Sequence, residues 1–180
     1  IEFVSSLNYD ECASYVGMRS GGQEIIIGWS CGVGEITHEI CHAAGMFHEH
    51  SRNDRDEFVE ILFDNIKERE KHNFEKYETS GYEVGEYDYG SIMHYGTHTF
   101  TSNDLPTITT IPPGIPIGQR DGLSAGDIAT VNARYAECST CSYDETVTTN
   151  YDSGSNIYVE VSNIITASNE INSGANVDYD

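Results

Sequence analysis

A histidine-rich stretch at residues 38–49 constrains the fold and chemistry of this chain more than any other feature of its sequence. Its letters follow the pattern HExxHxxGxxHE. On an α-helix, His38 and His42 are four residues apart, so both imidazoles project from one face and can bind the same metal ion. Glu39 lies beside them. The spacing therefore predicts a helix that carries two metal ligands and a neighbouring carboxylate.

The second half of the stretch supplies a third ligand. Gly45 can adopt a positive φ without a steric penalty, so it predicts the end of the helix and a sharp turn of the chain. The turn brings His48 round towards the first two histidines. Three neutral imidazoles with one open position are typical of a catalytic zinc site, because a structural site fills all four positions with protein ligands.

The short pattern HExxH is a weak signal by itself, because histidine and glutamate are common on helix surfaces. Two further features make the signal specific here. Gly45 and His48 stand at fixed offsets, and residues 91–95, SIMHY, follow as the methionine turn that the longer motif requires. The sequence therefore favours one catalytic zinc ion held by His38, His42 and His48.

These motifs resemble those of one family. Residues 38–56, HEICHAAGMFHEHSRNDRD, are similar to the astacin signature HExxHxxGxxHExxRxDRD, and residues 87–96, YDYGSIMHYG, are similar to its methionine turn. Glu49, directly after the third histidine, separates astacins from matrixins and adamalysins within the metzincin clan. The resemblance extends from Ile1 to about Cys138.

The resemblance implies an α+β fold, a metzincin-type zinc protease domain. It has a small twisted N-terminal sheet, an active-site helix, and an irregular C-terminal half with a final helix. Residues 1–4, 14–18 and 23–29 are short β-rich runs, and the turn between the last two predicts a hairpin. In astacins an edge strand of this region pairs antiparallel with an extended substrate through backbone groups. That role falls here to Ala13, Ser14 and Tyr15.

The sequence downstream of the zinc motif is less regular. Residues 58–61 are apolar enough for a short extended segment, and residues 64–77 are predicted to form a helix. Residues 97–119 contain all four prolines and are predicted to be loops. A final helix is predicted with Ser124 as its N-cap and Asp127 at the capping-box offset. The predicted buried stripe of this helix is Ile128, Val131 and Tyr135.

Five cysteines in a chain of this size favour an oxidising compartment, and hence a secreted protein. The resemblance implies a disulfide between Cys12 and Cys31. Cys138 matches the last cysteine of the catalytic domain, whose family partner lies just before the segment that corresponds to Ile1. Cys138 and Cys141 form a CxxC pair that can close locally instead. Cys41, inside the zinc helix, is predicted to be buried and reduced.

The chain is strongly acidic, with 30 acidic and nine basic side chains and a formal net charge of −21. This charge argues against nucleic acid, whose phosphates would be repelled, and against adhesion to anionic lipid. No apolar run approaches the roughly 18 residues needed to span a bilayer. The expected partner is therefore a protein or peptide substrate, as the resemblance also implies.

The length of 180 residues allows one ordinary domain, which we assign to residues 1–138. Residues 139–180 are acidic and rich in Asn, Ser and Thr, and are predicted to be a disordered tail or linker, with a strand at 156–161 as the alternative. Astacins have several tens more residues before the zinc helix. The N-terminal part of the domain is therefore expected to be missing, which leaves Glu49 without its family partner, the mature amino terminus. Further domains are expected in the full-length protein.

We predict a secreted zinc endopeptidase that hydrolyses peptide bonds in extended protein or peptide substrates through a metal-activated water. Glu39 is expected to accept the proton of this water and to deliver it to the leaving amine. The resemblance implies that Tyr95 ligates the resting metal through its phenol oxygen and swings away to hydrogen-bond the oxyanion, and that Met93 forms an apolar floor under the histidines. The alternative is a catalytically weak or silent secreted matrix-binding module that retains the zinc site. The presence of Glu39 and Tyr95 argues against that alternative.

Overall fold

The structure, a computed structural model, describes residues 1–6, 11–77 and 84–135, together with the backbone of strands at residues 148–151, 157–160 and 177–179. The chain divides into two compact units. The first comprises Ile1–Arg134 with Ser173–Asp180, and the second comprises Tyr135–Asn172. Within the described part of the chain, no helix is long and apolar enough to cross a membrane.

Helices and small sheets alternate along the chain, which confirms the predicted α+β class. In chain order the strands are β1 (Glu2–Ser5), β2 (Cys12–Tyr15), β3 (Glu24–Ile27), β4 (Val59–Ile61), β5 (Ile108–Thr110), β6 (Thr148–Tyr151), β7 (Ile157–Glu160) and β8 (Val177–Tyr179). The α-helices described are α1 (Val33–Ala43) and α2 (Ala125–Tyr135). Short 3-10 helices span Glu49–Ser51, Arg55–Glu57, Phe63–Asn65 and Glu68–Phe74.

The first unit is built on a four-stranded sheet in the order β1–β3–β2–β8. Strand β1 runs parallel to β3, while β2 is antiparallel to both of its neighbours. Ala13 in β2 therefore lies opposite Ile26 of β3 on one side and Tyr179 of β8 on the other. The predicted hairpin is present as β2 and β3, with shorter strands than the sequence indicated. The predicted disulfide between Cys12 and Cys31 is also present.

Helix α1 begins where the sequence offers a local cap. The side chain of Glu35 accepts a hydrogen bond from the N–H of Gly32 at 3.0 Å, which satisfies a donor that the first turn of a helix leaves without an intrahelical partner. The helix turns one face to the interior of the first unit. The buried residues of this face are His38, Glu39, Cys41, His42 and Ala43.

Helix α1 ends in a Schellman motif at the predicted glycine. The N–H of Gly45 donates to the carbonyl of His42 at 2.7 Å, and the N–H of Met46 donates to the carbonyl of Cys41 at 2.9 Å. Gly45 has a φ of +90°, as this motif requires. The carbonyl of His42 also accepts the N–H of Gly17 at 2.8 Å, so the loop after β2 is tied to the end of the zinc helix.

The prediction of one continuous helix at residues 64–77 is wrong. The chain makes two separate 3-10 helices, and Ile66 between them is extended, with φ −88° and ψ 139°. Ile66 forms an antiparallel bridge with Thr101, and the N–H of Lys67 donates to the carbonyl of Phe100 at 2.9 Å. These contacts to a distant segment interrupt the helix, and they bury Ile66 in a core with Val59, Phe74, Tyr87, Tyr95 and Ile108.

The region of residues 97–119, predicted to be loops, contains strand β5. This strand pairs antiparallel with β4, with Val59 opposite Thr110 and Ile61 opposite Ile108. Only three residues pair, and prolines flank the strand closely on both sides. The extended segment predicted at residues 58–61 is confirmed as the partner strand.

The final helix α2 has the predicted cap but a different buried face. The N–H of Asp127 donates to the hydroxyl of Ser124 at 2.9 Å, and the N–H of Ser124 donates to the Asp127 carboxylate at 2.8 Å. Of the predicted stripe, Val131 packs on the core, but Ile128 and Tyr135 are 49% and 44% exposed. The inner face is set by Asp127 and Val131, four residues apart, because Asp127 itself is buried.

Within residues 139–180, for which the sequence predicts a disordered tail, the structure contains strands. Strands β6 and β7 pair antiparallel with each other, with Asn150 opposite Tyr158, and β7 coincides with the strand weighed as the alternative. Strand β8 joins the first sheet. Cys138 and Cys141 lie outside the described residues, and the domain boundary at residue 138 stays a prediction.

We predict that Gly118→Ala lowers the free energy of unfolding more than Gly114→Ala does. Both glycines have positive φ, +79° and +94°, which costs alanine roughly 1–2 kcal/mol. An added Cβ at Gly114 meets nothing within 4 Å, whereas at Gly118 it meets the backbone of Gly96 and Tyr95, which cannot move aside as a side chain can. Denaturant titration of both variants measures the difference. Equal losses would contradict a role for the close approach of this backbone.

Candidate metal centre

Three histidine side chains converge in the interior of the first unit. His38 and His42 come from α1, and His48 follows the turn at Gly45. The Nε2 atom of His48 lies 3.2 Å from the Nε2 atoms of both His38 and His42. All three side chains are buried and can offer one nitrogen each to a common ion. The structure therefore brings together the three ligands that the sequence predicts.

Hydrogen bonds to backbone carbonyls set the protonation of two of these rings. Nδ1 of His38 lies 2.7 Å from the carbonyl oxygen of Ile92, and Nδ1 of His42 lies 2.9 Å from that of Met46. A carbonyl only accepts, so each Nδ1 must carry the proton. Each Nε2 atom is then left with a lone pair directed at the others, which is the arrangement of a metal-binding histidine.

The geometry and donor set fit zinc. Tetrahedral zinc with Zn–N bonds of about 2.0–2.1 Å separates its nitrogen ligands by about 3.3 Å, close to the 3.2 Å found here. Nitrogen lone pairs at this distance repel each other unless a cation lies between them. The arrangement of His38, His42 and His48 is thus explained by an ion at their centre.

A cavity of about 400 Å³ opens beside the histidines. Glu39 and Tyr95 both line it, and each is only 1% exposed. The two residues predicted to be catalytic therefore face the same space next to the metal ligands. The remaining lining residues are Cys12, Ser30, Glu35, Thr99, Phe100 and Arg120.

Aromatic rings hold Tyr95 in place. Its ring centroid lies 4.4 Å from that of His48 and 4.0 Å from that of His50, with the His50 ring stacked on it. Phe74 and Phe100 pack edge-on at 5.5 Å and 5.7 Å. Their packing leaves the tyrosine ring few alternative orientations.

The methionine turn lies directly under the site. Met93 is fully buried, and its carbonyl accepts the N–H of Glu49 at 3.1 Å, next to the third ligand. Nδ1 of His94 donates to the carbonyl of Tyr95 at 2.7 Å, so Nε2 of His94 accepts the hydroxyl of Tyr87 at 2.7 Å. Burial lowers the pKa of His94 to about 4, which keeps this ring neutral.

The sequence motifs do not reveal the roles of two residues near the site. His50 is fully buried under Tyr95, its Nε2 donates to the carbonyl of Asn73 at 3.1 Å, and burial holds its pKa well below the ordinary value. The sequence predicts only a capping role for Asp127, yet this residue is 2% exposed and bonds to the methionine turn. For His50, the only signal in the sequence is its position two residues after the third predicted ligand, in the letters HEH. No local pattern indicates the second role of Asp127.

Cys41 behaves as predicted. It is a buried free thiol on α1, and burial raises its pKa to about 12. The thiol therefore stays protonated and is a poor metal ligand, since the thiolate is the form that binds metals. It packs with Met46, Ile92 and Met93 in a small core beneath the histidines.

Glu49 has partners in this structure, contrary to the expectation that it lacks one. Its carboxylate accepts the N–H of Asp88 at 2.8 Å and the guanidinium of Arg52 at 3.2 Å. Arg52 is held in turn by Asp54 through two bonds of 2.9 Å and 2.8 Å. Burial nevertheless raises the pKa of Glu49 to about 7, against the lowering effects of the Asp88 N–H and Arg52.

Comparison with known proteins finds close relatives. The model of the Astacin family, a family of peptidases, matches residues 1–136. Protein SpAN of Strongylocentrotus purpuratus is 46% identical over 142 residues, which cover 76% of this chain and 23% of that protein. Astacin-like metalloendopeptidase of Gallus gallus is 45% identical over 137 residues, covering 74% of this chain and 33% of that protein. The chain thus spans about a quarter to a third of the length of these relatives.

Solved structures agree with the sequence comparison. High choriolytic enzyme 1, a hatching enzyme zinc-protease from Oryzias latipes, aligns with a TM-score of 0.67 at 42% identity, covering 74% of this chain and 67% of that chain. Myroilysin aligns with a TM-score of 0.50 at 22% identity, covering 74% of this chain and 70% of that chain, a likeness of fold alone. The predicted metzincin-type fold and zinc as the cofactor are confirmed.

We predict that Glu49 makes the protein less stable as the pH rises from about 4.5 to about 7. In this window the folded state binds more protons than the unfolded state, because burial raises the pKa of Glu49 from 4.5 to about 7. The free energy of unfolding should therefore fall with pH in wild type, and Glu49→Gln should remove this contribution. The contributions of all other groups are common to both proteins and cancel in the difference.

The measurement is denaturant unfolding of wild type and Glu49→Gln at about pH 5 and about pH 8, on either side of most of this titration. The variant should gain stability relative to wild type at the higher pH. Glu57→Gln, at an exposed position on the same segment, serves as the matched control and should show no such gain. A Glu49→Gln effect that is identical at both pH values would show that the carboxyl titrates normally.

Proposed function

Because the chain belongs to the astacin family of peptidases, we propose that it hydrolyses internal peptide bonds of protein or peptide substrates as a zinc-dependent endopeptidase. One observation carries the proposal: Glu39 and Tyr95 are buried around one cavity beside three convergent imidazoles. This arrangement places a proton acceptor and a phenol hydroxyl next to a metal site.

The metal ligands and Glu39 divide the chemistry between them. A zinc ion held by His38, His42 and His48 supplies Lewis acidity, which lowers the pKa of a water to about 7 and polarises a scissile carbonyl. Glu39 accepts a proton from the attacking water and later delivers it to the leaving amine. The burial of Glu39 strengthens the electrostatic interaction between its carboxylate and a bound zinc ion, because charges interact more strongly where water is excluded.

Tyr95 is proposed to stabilise the negative charge that develops on the carbonyl oxygen of the substrate. Its phenol is a hydrogen-bond donor at the wall of the same cavity. The stacked ring of His50 and the edge contacts of Phe74 and Phe100 hold the Tyr95 ring next to the metal ligands. A hydrogen-bond donor aimed at the carbonyl oxygen stabilises the charge that develops there.

The substrate is proposed to bind in an extended form along β2. Cys12, the first residue of this strand, lines the cavity with Glu39 and Tyr95, so the strand leads directly to the reacting groups. Backbone pairing along a strand is largely independent of side chains and suits protein substrates of varied sequence. The Cys12–Cys31 disulfide anchors this end of the strand, and it supports a secreted, oxidising location.

We predict that Glu39→Gln retains zinc but loses activity by about 10²–10⁴-fold, the usual contribution of a positioned acid–base group. Zinc content by atomic absorption and cleavage of a fluorogenic peptide measure the two effects separately. Glu60→Gln, at an exposed position on β4, is the matched control and should cleave like wild type. A metal chelator should abolish wild-type cleavage, and added zinc should restore it. Full activity in Glu39→Gln would refute the mechanism.

A further inference from the structure

The buried carboxylate of Asp127 connects α2 to the methionine turn. It accepts the hydroxyl of Ser91 at 2.6 Å and the N–H of Ile92 at 2.9 Å, in addition to the N–H of Ser124 at 2.8 Å. Only the bond from Ser124 belongs to the helix cap. The hydroxyl of Ser91 in turn accepts the N–H of Met93 at 3.0 Å. Most of the hydrogen bonding of Asp127 is therefore directed at the turn.

The methionine turn connects Asp127 to a metal ligand. Ile92 donates its N–H to Asp127, and its carbonyl accepts Nδ1–H of His38 at 2.7 Å. The same carbonyl accepts the guanidinium of Arg120 at 2.9 Å. One residue thus joins the carboxylate on α2 to the imidazole on α1, and both groups are buried with it.

We propose that Asp127 is a positioning residue for the metal centre, which sets the orientation of the His38 imidazole through Ile92. Without the carboxylate, the N–H of Ile92 is buried and unsatisfied, and the turn shifts to find another partner. The carbonyl of Ile92 shifts with it. Groups that orient a ligand from behind typically change metal affinity by about 10–100-fold when they are altered.

The test compares zinc binding in Asp127→Asn and Ser124→Ala. Asp127→Asn keeps the size of the side chain but replaces one of the two acceptor oxygens with a donor. It therefore cannot accept both the bond from Ser91, which goes to one oxygen, and the bond from Ile92, which goes to the other. Ser124→Ala removes the cap bond from the N–H of Asp127 and the 2.6 Å bond from the Ser124 hydroxyl to Asp88, but leaves every bond to the Asp127 carboxylate in place. Both variants should lose stability. The zinc dissociation constant, measured by competition with a chromophoric chelator, should rise about tenfold in Asp127→Asn only.

The absorption spectrum of the Co²⁺-substituted protein provides a second readout that a purely structural role would not change. Its d–d bands should shift in Asp127→Asn and match wild type in Ser124→Ala. Ser91→Ala removes one partner of Asp127 and should show a smaller shift of the same kind, which keeps the test decisive if Asp127→Asn fails to fold. Unchanged zinc affinity and spectra in Asp127→Asn and Ser91→Ala, or equal losses of affinity in Ser124→Ala, would overturn the proposal.

A separate observation concerns the outer edge of β2. Strand β8 pairs with it antiparallel, with Tyr15 opposite Val177, Ser14 opposite Asp178 and Ala13 opposite Tyr179. This is the edge along which the substrate is proposed to bind. Since β8 runs from Tyr15 towards Ala13, its direction leads to the end of β2 where Cys12 lines the catalytic cavity.

We infer that β8 competes with substrate for this edge, so that the acidic C-terminal segment of the chain acts as a reversible inhibitor of its own active site. The effect on catalysis rests on the proposed function, whereas the pairing of β8 with β2 does not. A strand edge offers one row of N–H and C=O groups, which bond either β8 or a substrate. A segment on the same chain competes without a diffusional encounter, so its effective concentration does not depend on the protein concentration.

The test uses the full chain with two substitutions at one position. Asp178→Pro removes a backbone N–H and disfavours the strand conformation, so it should free the edge of β2. Asp178→Ala removes the charge but keeps the backbone, and should behave like wild type. A fluorescent peptide of residues 173–180, SGANVDYD, should bind the proline variant at least severalfold more tightly than wild type or the alanine variant.

Catalysis gives the second readout. KM for an extended peptide should fall severalfold in Asp178→Pro, with kcat unchanged. Equal peptide affinity in all three proteins would overturn the inference, whether or not they cleave substrate. Tighter peptide binding in both the proline and the alanine variant would assign the effect to loss of the Asp178 carboxylate. That result would overturn competition through the backbone. Absence of cleavage in every protein, with the expected difference in peptide binding, would reject the proposed function while supporting the pairing.

Discussion

The described first unit depends on one requirement, which is that three neutral imidazoles keep their lone pairs directed at a single point. Nothing in the rings themselves enforces this, because either nitrogen of a histidine can carry the proton. The backbone enforces it instead. The carbonyl of Met46, just after the Schellman turn, binds His42, and the carbonyl of Ile92 in the methionine turn binds His38. The irregular second half of the unit thus serves to place backbone acceptors behind the ligands.

The parts of the site that the sequence could predict are those created by short-range geometry. His38 and His42 lie on one face because they are one helical turn apart, and Gly45 ends the helix because its φ of +90° suits glycine. The cap by Ser124 and Asp127 follows from the same kind of local rule. The roles predicted for Tyr95 and Met93 rest only on a motif resemblance, since no spacing rule connects the methionine turn with the zinc helix.

The parts that the sequence could not predict are decided by contacts between distant segments. Ile66 has an ordinary helical sequence around it, yet its bridge to Thr101 turns it into an extended residue. Ile128 looks like a core residue of α2, but burial of Asp127 rotates it to the surface. The pairing of β8 with β2 joins opposite ends of the chain, which no local pattern can reveal. In each case a tertiary contact outweighed local propensity.

The charge distribution explains why this acidic chain tolerates so many buried carboxylates near one point. Glu39 lies next to the first ligand on α1, Asp127 bonds to the methionine turn and Glu49 follows the third ligand, so these acids lie around the metal centre. The C-terminal end of α1, with its partial negative charge, lies in the same region. Arg52 and Arg120 offset part of this charge from the outside, through Glu49 and the carbonyl of Ile92. A dication among the imidazoles offsets the rest from the inside, so the negative field that disfavours the metal-free fold is the one that favours binding of zinc.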